Sequence, residues 1–257
     1  MTTEMDRVLP TSTSATVRTR GDYLTLRIAL WLVVAYVGLG LLGFVAFAGF
    51  WPPPAESLGA AEISAYFHEH STSITIGMIL MAVGSPFYYA WSAALSKIIG
   101  RIEGPMGVLS TLELLGGLLT ALVTFTPATI WITASFRVED RSPESIHLLY
   151  DFGWMFFDTT FVCSLIQSFA LGAAILRDRR EEPLFPSWVG WLAFLTGASY
   201  LPLTLMPLLK TGPFAWNGLI SFWVVFVIFF VLIACVTPYA HRALRRLERE
   251  DVVGLGS

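Results

Sequence analysis

Six apolar runs, at about 26–50, 72–96, 106–135, 146–176, 187–208 and 215–239, leave the chain few ways to fold. Each meets or exceeds the roughly 20 residues a helix needs to cross a hydrocarbon core of ~30 Å. Such a core offers the backbone no water, so each run must satisfy its own N–H and C=O groups, which a helix does. Charged residues make up 14% of the chain and hydrophobic ones 55%, against about 25% charged in an ordinary soluble domain. The charge lies in the termini and in the gaps between runs. The expected fold class is therefore all-α: a polytopic membrane helical bundle of six transmembrane helices. Residues 1–22, rich in Ser and Thr, read as a disordered cytoplasmic tail; 23–241 as the six-span membrane domain; and 242–257 as a basic, then flexible cytoplasmic tail.

Ala46-Phe47-Ala48 mimics a signal-peptide cleavage site. The apolar run before it is longer than the roughly 7–15 residues of an h-region, so it reads as a retained first span. With the N-terminus inside, thirteen Lys and Arg side chains fall on the cytoplasmic side: Arg7, Arg18, Arg20, Arg27, Lys97, Arg101, Arg177, Arg179, Arg180, Arg242, Arg245, Arg246 and Arg249. Only Arg137, Arg141 and Lys210 fall outside. That bias places both termini inside a bacterial cytoplasmic membrane.

The first outer loop opens with Trp51-Pro52-Pro53-Pro54, an extended exit that stops the first helix. Gly59 then caps a short amphipathic helix, with Glu62 positioned to reach back to its N–H. Ile63, Tyr66, Phe67 and His70 share one face of that helix. Ser142-Pro143-Glu144 reads as an N-cap, a first-turn proline and an early acid, so the fourth helix starts near residue 143. Gly116-Gly117 and Pro127 interrupt the third span, and Pro202 and Pro207 the fifth. Gly38, Gly40 and Gly43 permit close helix approach in the first, without a clean GxxxG.

Candidate chemistry concentrates in three acids. A carboxylate in hydrocarbon costs roughly 2.5–3.5 kcal/mol, and no Lys or Arg lies at matching depth. His147, Asp151 and Asp158 fall at i, i+4 and i+11 on one side of the fourth helix, with Trp154 and Met155 between them. Asp158 lies roughly 15 Å below the outer edge, and Glu113 about 8–12 Å in from the cytoplasmic side. The short link between the third and fourth spans makes them neighbours, close enough for Asp158 and Glu113 to meet. Asp151 reads as interfacial, and Glu113 has the option of snorkelling inward. A neutral carboxyl donates a hydrogen bond, which suits a general acid, a proton relay or a clasp on a ligand oxygen.

Trp51, Trp188 and Trp216 lie at span ends, where indole belts form. Trp91, Trp131, Trp154 and Trp223 lie at or inside the runs. Facing inward they either pack the bundle or line a flat-walled apolar pocket. In Lys210–Gly218, Asn217 is placed to cap the sixth helix and Trp216 to form an aromatic lip at a pocket mouth.

Other classes lack their signatures. His68 and His70 point about 200° apart on one helix, no HxxxH or HExxH spacing occurs, and neither metal nor cofactor is expected. Cys163 and Cys235 both fall within apolar runs and read as packing residues. There is no GxSxG, no phosphate-cradling glycine loop and no basic patch suited to nucleic acid.

Trp51-Pro52-Pro53-Pro54 through Ala61-Glu62-Ile63-Ser64-Ala65-Tyr66-Phe67, then Phe136 to Glu144, and Lys210 to Trp223, resemble a family of six-span bacterial membrane proteins common in actinobacteria. The resemblance covers nearly the whole chain and implies the six-span topology, with no established activity. The chain departs from the family's Asn-Asp pattern at Tyr150-Asp151.

The leading functional expectation is a protein that binds or moves an apolar small molecule, lipid-, sterol- or terpenoid-like. Asp158 and Glu113 would be its proton-linked anchors, and Asp151, Trp154, His147, Trp131, Asn217 and Trp216 its ligand contacts. A second is an intramembrane enzyme using Asp158 as general acid on a lipid or terpenoid, similar in spirit to integral-membrane terpene cyclases. A third is an accessory subunit whose acids fix helix packing. Membrane lipids are expected partners, and a homo-oligomer or a complex with another membrane subunit stays open.

Overall fold

A computed structural model describes residues 20–254, and among them every regular element is helical. The order is α1 (Arg20–Leu41), a π-helical segment (Leu42–Phe47), α2 (Ala60–Glu103), α3 (Val108–Ser135), a 3₁₀ turn (Val138–Asp140) and α4 (Pro143–Leu176). There follow α5 (Ser187–Ser199), a 3₁₀ segment (Leu201–Leu208), a second π-helical segment (Leu219–Val224) and α6 (Val225–Gly254). Six helical segments are long and apolar enough to cross a membrane. Large apolar side chains such as Trp31, Leu118, Phe152, Trp191 and Val227 point outward, as hydrocarbon solvent permits.

Consecutive helices pack as neighbours from α1 to α6, with the closest packing among α2, α3 and α4. α6 returns to α1 and closes the ring more loosely. One end is tied by ions. Both terminal guanidinium nitrogens of Arg101 donate to Asp251, at 2.9 and 2.6 Å, and Tyr23 also donates to Asp251. Arg27 pairs with Glu248, and Arg180 donates to the Arg101 carbonyl at 2.8 Å. The start of α1 and the end of α6 therefore meet at this basic end, as an even number of spans requires.

Several boundaries differ from the sequence expectation. The outer-loop helix starts at Ala60 as expected, and the Gly59 N–H donates to Glu62 Oε2 at 2.9 Å. It does not stop before the second span, however. α2 is one helix of 44 residues, about 66 Å at 1.5 Å per residue, so it extends well beyond the hydrocarbon. Its face carrying Ile63 and Phe67 is buried against the bundle. α5 ends at Ser199, because Pro202 and Pro207 lack the N–H groups an α-helix needs and the chain tightens into 3₁₀ turns. Residues 242–254, expected as a tail, continue α6: Ala240, Ala243, Leu244 and Leu247 form a buried stripe at helical spacing. Most of the expected N-terminal tail (residues 1–19) and the last residues, 255–257, lie outside the described region. Asp22, placed in that tail, is already helical. Ser142 caps α4 by accepting from the Ser145 N–H at 3.3 Å, as its sequence pattern indicates.

The glycines of the first span have divided roles. A Cβ at Gly43 would collide with the Gly77 carbonyl, so this pair brings the first two spans into backbone contact. A Cβ at Gly38 or Gly40 would meet open space. Gly43→Ala is therefore expected to destabilise by about 1–3 kcal/mol through overpacking. Gly38→Ala and Gly40→Ala should each stabilise by about 0.5–1 kcal/mol through helix propensity. Thermal unfolding of the detergent-solubilised variants reads the opposite signs, and equal effects at all three positions would contradict this packing.

Candidate functional site

Glu113 is fully buried between α2, α3 and α4, and it does not snorkel to the basic end. Its Oε1 accepts from Ser92 Oγ at 2.9 Å and from Gln167 Nε2 at 3.1 Å. Gln167 Oε1 in turn accepts from Tyr88 at 3.1 Å and lies 3.0 Å from Thr120 Oγ1, which is 2.8 Å from Ser164 Oγ. The adjacent glycines make this approach possible. A Cβ at Gly116 would lie 2.5 Å from Gln167 Cβ, and one at Gly117 would overlap the Ser92 hydroxyl. What reads in sequence as a helix breaker is thus the slot that lets α2 and α4 reach Glu113. Glu113 Oε2 has no hydrogen-bond partner.

Asp158 is also buried, and its Oδ2 has no hydrogen-bond partner. The two acids do not meet, although α3 and α4 are neighbours. Glu113 is bound to Gln167, nine residues along α4 from Asp158, or about 13 Å at 1.5 Å per residue. The antiparallel register separates them. Neither forms an ion pair among the described residues, so neither has a cation to hold it ionised. Asp151 is half-buried, with His147 Nε2 3.5 Å from its Oδ1.

Above Asp158 lies an aromatic layer. Trp154 stacks on Trp216, with centroids 5.8 Å apart and planes at 19°, and meets Trp131 at 5.1 Å. Trp131 Nε1 donates to the Tyr150 carbonyl at 3.3 Å, and Trp154 Nε1 has no partner. A strap formed by residues 51–58 covers this layer. The Pro54 carbonyl accepts from Tyr150 Oη at 2.7 Å and from Trp216 Nε1 at 3.0 Å, and Glu56 Oε2 accepts from the Trp216 N–H at 3.1 Å. Burial pushes the Glu56 carboxyl above its usual range; the Trp216 N–H and Lys210 oppose this and Asp151 adds to it. Trp216, expected in an interfacial belt, is a core residue. Asn217 makes no capping bond: Gly218 precedes the π-helical segment without side-chain help.

Beneath the aromatic layer is a small cavity of about 50 Å³, lined by Tyr36, Phe44, Thr120, Thr124, Phe157 and Phe229 among others. It has room for a few waters, not for a drug-sized ligand, which needs about 300–1,000 Å³. Phe44 and Phe157 belong to both the layer and the cavity wall. Trp91, Trp131 and Trp154 themselves are packed in the core and do not line it.

The larger space is lateral. Between α1 and α6, where the ring is loosest, a crevice of about 1160 Å³ opens on the side of the bundle. Val37, Leu41 and Phe230 line both crevice and cavity, so the two spaces share a wall.

Sequence reasoning located Glu113 and Asp158 but missed Gln167, Ser92, Tyr88 and Thr120, which surround Glu113, and Glu56 in the strap. Gln167, a lone amide in the fourth span, was the available signal. Among the described residues no three His, Cys, Asp or Glu side chains cluster as a metal site would need. His68 and His70 each place Nδ1 on a carbonyl of their own helix, at 2.8 and 3.0 Å. Cys163 and Cys235 are free thiols. The fold defines a multi-pass helical membrane protein. No known protein family, curated protein or solved structure matches the chain, and the resemblance to actinobacterial six-span proteins stays a likeness of motifs.

Proposed function

We propose that this protein binds or moves an apolar small molecule, lipid-, sterol- or terpenoid-like, in the bacterial cytoplasmic membrane, with both termini inside. The ligand enters from the bilayer through the crevice between α1 and α6. The observation that carries this reading is the wall of Val37, Leu41 and Phe230 common to crevice and cavity, which leaves one layer of side chains between a lateral opening and an interior bearing Thr120. From Thr120 the hydrogen bonds run through Gln167 to Glu113. A ligand oxygen reaching Thr120 would thus feel the protonation state of Glu113. Asp158, buried with one oxygen lacking a hydrogen-bond partner and next in sequence to the cavity-lining Phe157, is the second anchor.

Purified protein should carry a stoichiometric apolar molecule, detectable by lipid extraction and mass spectrometry. Glu113→Gln keeps an acceptor for Ser92 and should fold normally while losing any pH dependence of ligand binding. Gly40→Leu, whose Cβ meets open space, should fill the cavity without unfolding the protein, bar a ligand oxygen from Thr120 and so remove the pH dependence of binding. A protein that is empty as purified, and binds no added apolar ligand, overturns the proposal.

A further inference from the structure

The crevice is apolar along most of its length, but its basic end is not. Arg27, His241 and Arg245 line it there, whereas Trp31, Val34, Gly38, Leu41, Phe230 and Ile233 line the remainder. Arg27 is shared with Glu248. Arg245 is exposed and forms no ion pair among the described residues. His241 Nε2 has no hydrogen-bond partner, and its ring lies against Trp31 at 5.0 Å. The charges of Arg245 and Arg27 both act on His241, so the three groups share one neighbourhood. From Arg27 to Leu41 the α1 wall runs about 21 Å at 1.5 Å per residue. One leaflet is only about 15 Å deep, so the crevice starts at a headgroup level and passes the membrane midplane.

We propose that this crevice holds one anionic phospholipid of the leaflet at the basic end. Its phosphate sits between Arg245, Arg27 and His241, and an acyl chain lies along Trp31, Gly38 and Leu41. Charge complementarity selects this occupant. A sterol or a neutral terpenoid would leave a free guanidinium and an unpaired imidazole nitrogen at the mouth, whereas a phosphate diester satisfies both. A soluble phosphate would leave the apolar length unfilled. The proposal rests on the reading of the crevice as a ligand entry, and it names the class of molecule that entry favours.

Native mass spectrometry of the full chain in mild detergent tests this, with dioleoyl phosphatidylglycerol and dioleoyl phosphatidylcholine titrated in parallel. The parent should retain one phosphatidylglycerol and prefer it over phosphatidylcholine about fivefold to thirtyfold, the scale of one or two arginine–headgroup contacts. Arg245→Gln should abolish that preference while still binding either lipid weakly. Gly38→Leu, whose Cβ meets open space, should fill the tail channel and lower retention of both. Arg242→Gln, on the same helix but outside the crevice lining, should behave as the parent. An unchanged preference in Arg245→Gln overturns the proposal, as does an equal loss in Arg242→Gln, which would mean diffuse surface attraction. If both lipids bind equally and Gly38→Leu weakens both, headgroup selection fails but ligand entry stands. If neither lipid binds the parent, the phospholipid proposal fails, and entry of a sterol- or terpenoid-like ligand is decided by the extraction experiment.

Discussion

An alanine at Gly116 is expected to destabilise the protein by about 3 kcal/mol, with the sign opposite to that of helix propensity. Propensity alone would favour alanine by about 0.5–1 kcal/mol inside a helix. Here the new methyl would lie 2.5 Å from Gln167 Cβ and 2.9 Å from its Cα. A backbone atom of a 34-residue helix cannot step aside locally, so α3 and α4 must separate. Separation also pulls the Gln167 amide from Glu113 and its carbonyl oxygen from Tyr88 and Thr120. Each polar group left unpaired in the interior costs a further ~1–3 kcal/mol. Thermal unfolding, followed by the loss of monodisperse protein in detergent, reads this directly. A Gly116→Ala protein as stable as the parent would mean that Gln167 does not pack against α3 as described.

Asp158→Leu should do the reverse, raising stability by about 2 kcal/mol while impairing ligand handling. The parent holds a buried carboxyl with one oxygen lacking any hydrogen-bond partner. Leucine has the same branched skeleton of four side-chain heavy atoms, a larger volume and no desolvation cost. Asp158→Asn removes the charge but keeps a polar group in the same place, so its gain should be smaller. This ordering, leucine above asparagine above parent, separates a functional acid from a structural one. A destabilised Asp158→Leu protein would show that the carboxyl ties helices together, and the accessory reading would then gain ground. A stabilised variant with full ligand binding would remove Asp158 from the functional argument and leave Glu113 alone.

Much of the architecture was readable from residue order. Apolar runs of span length, Ser142-Pro143 at the start of α4 and Glu62 reaching back to Gly59 are local features. The energies that set them act within a turn or two of helix. Continuity was harder to read. Ser71-Thr72-Ser73 looks like a boundary between an outer helix and a span. Yet nothing there breaks a helix, and Ser73 returns its hydroxyl to the His70 carbonyl at 2.9 Å. The amphipathic end of α6 was hidden for a related reason: its stripe is buried only against other segments of the basic end, one of which Arg246 reaches at Glu182, 3.6 Å away.

The candidate site divides in the same way. That Glu113 and Asp158 are intramembrane acids follows from where charge falls within apolar runs, since hydrocarbon penalises a charge at any rotation of its helix. Their partners depend on registers between helices. Those registers are set by close approaches, Gly43 on Gly77 and Gly116 on Gln167, whose energy lies in the fit of distant segments. Register is why Glu113 found Gln167 instead of Asp158. It also put Trp216 under a strap and not at the membrane surface, and left α1 and α6 far enough apart for a crevice between them. Span count and the presence of buried acids are one-dimensional properties of this chain; what those acids touch, and where a ligand would enter, arose only when six helices settled against one another.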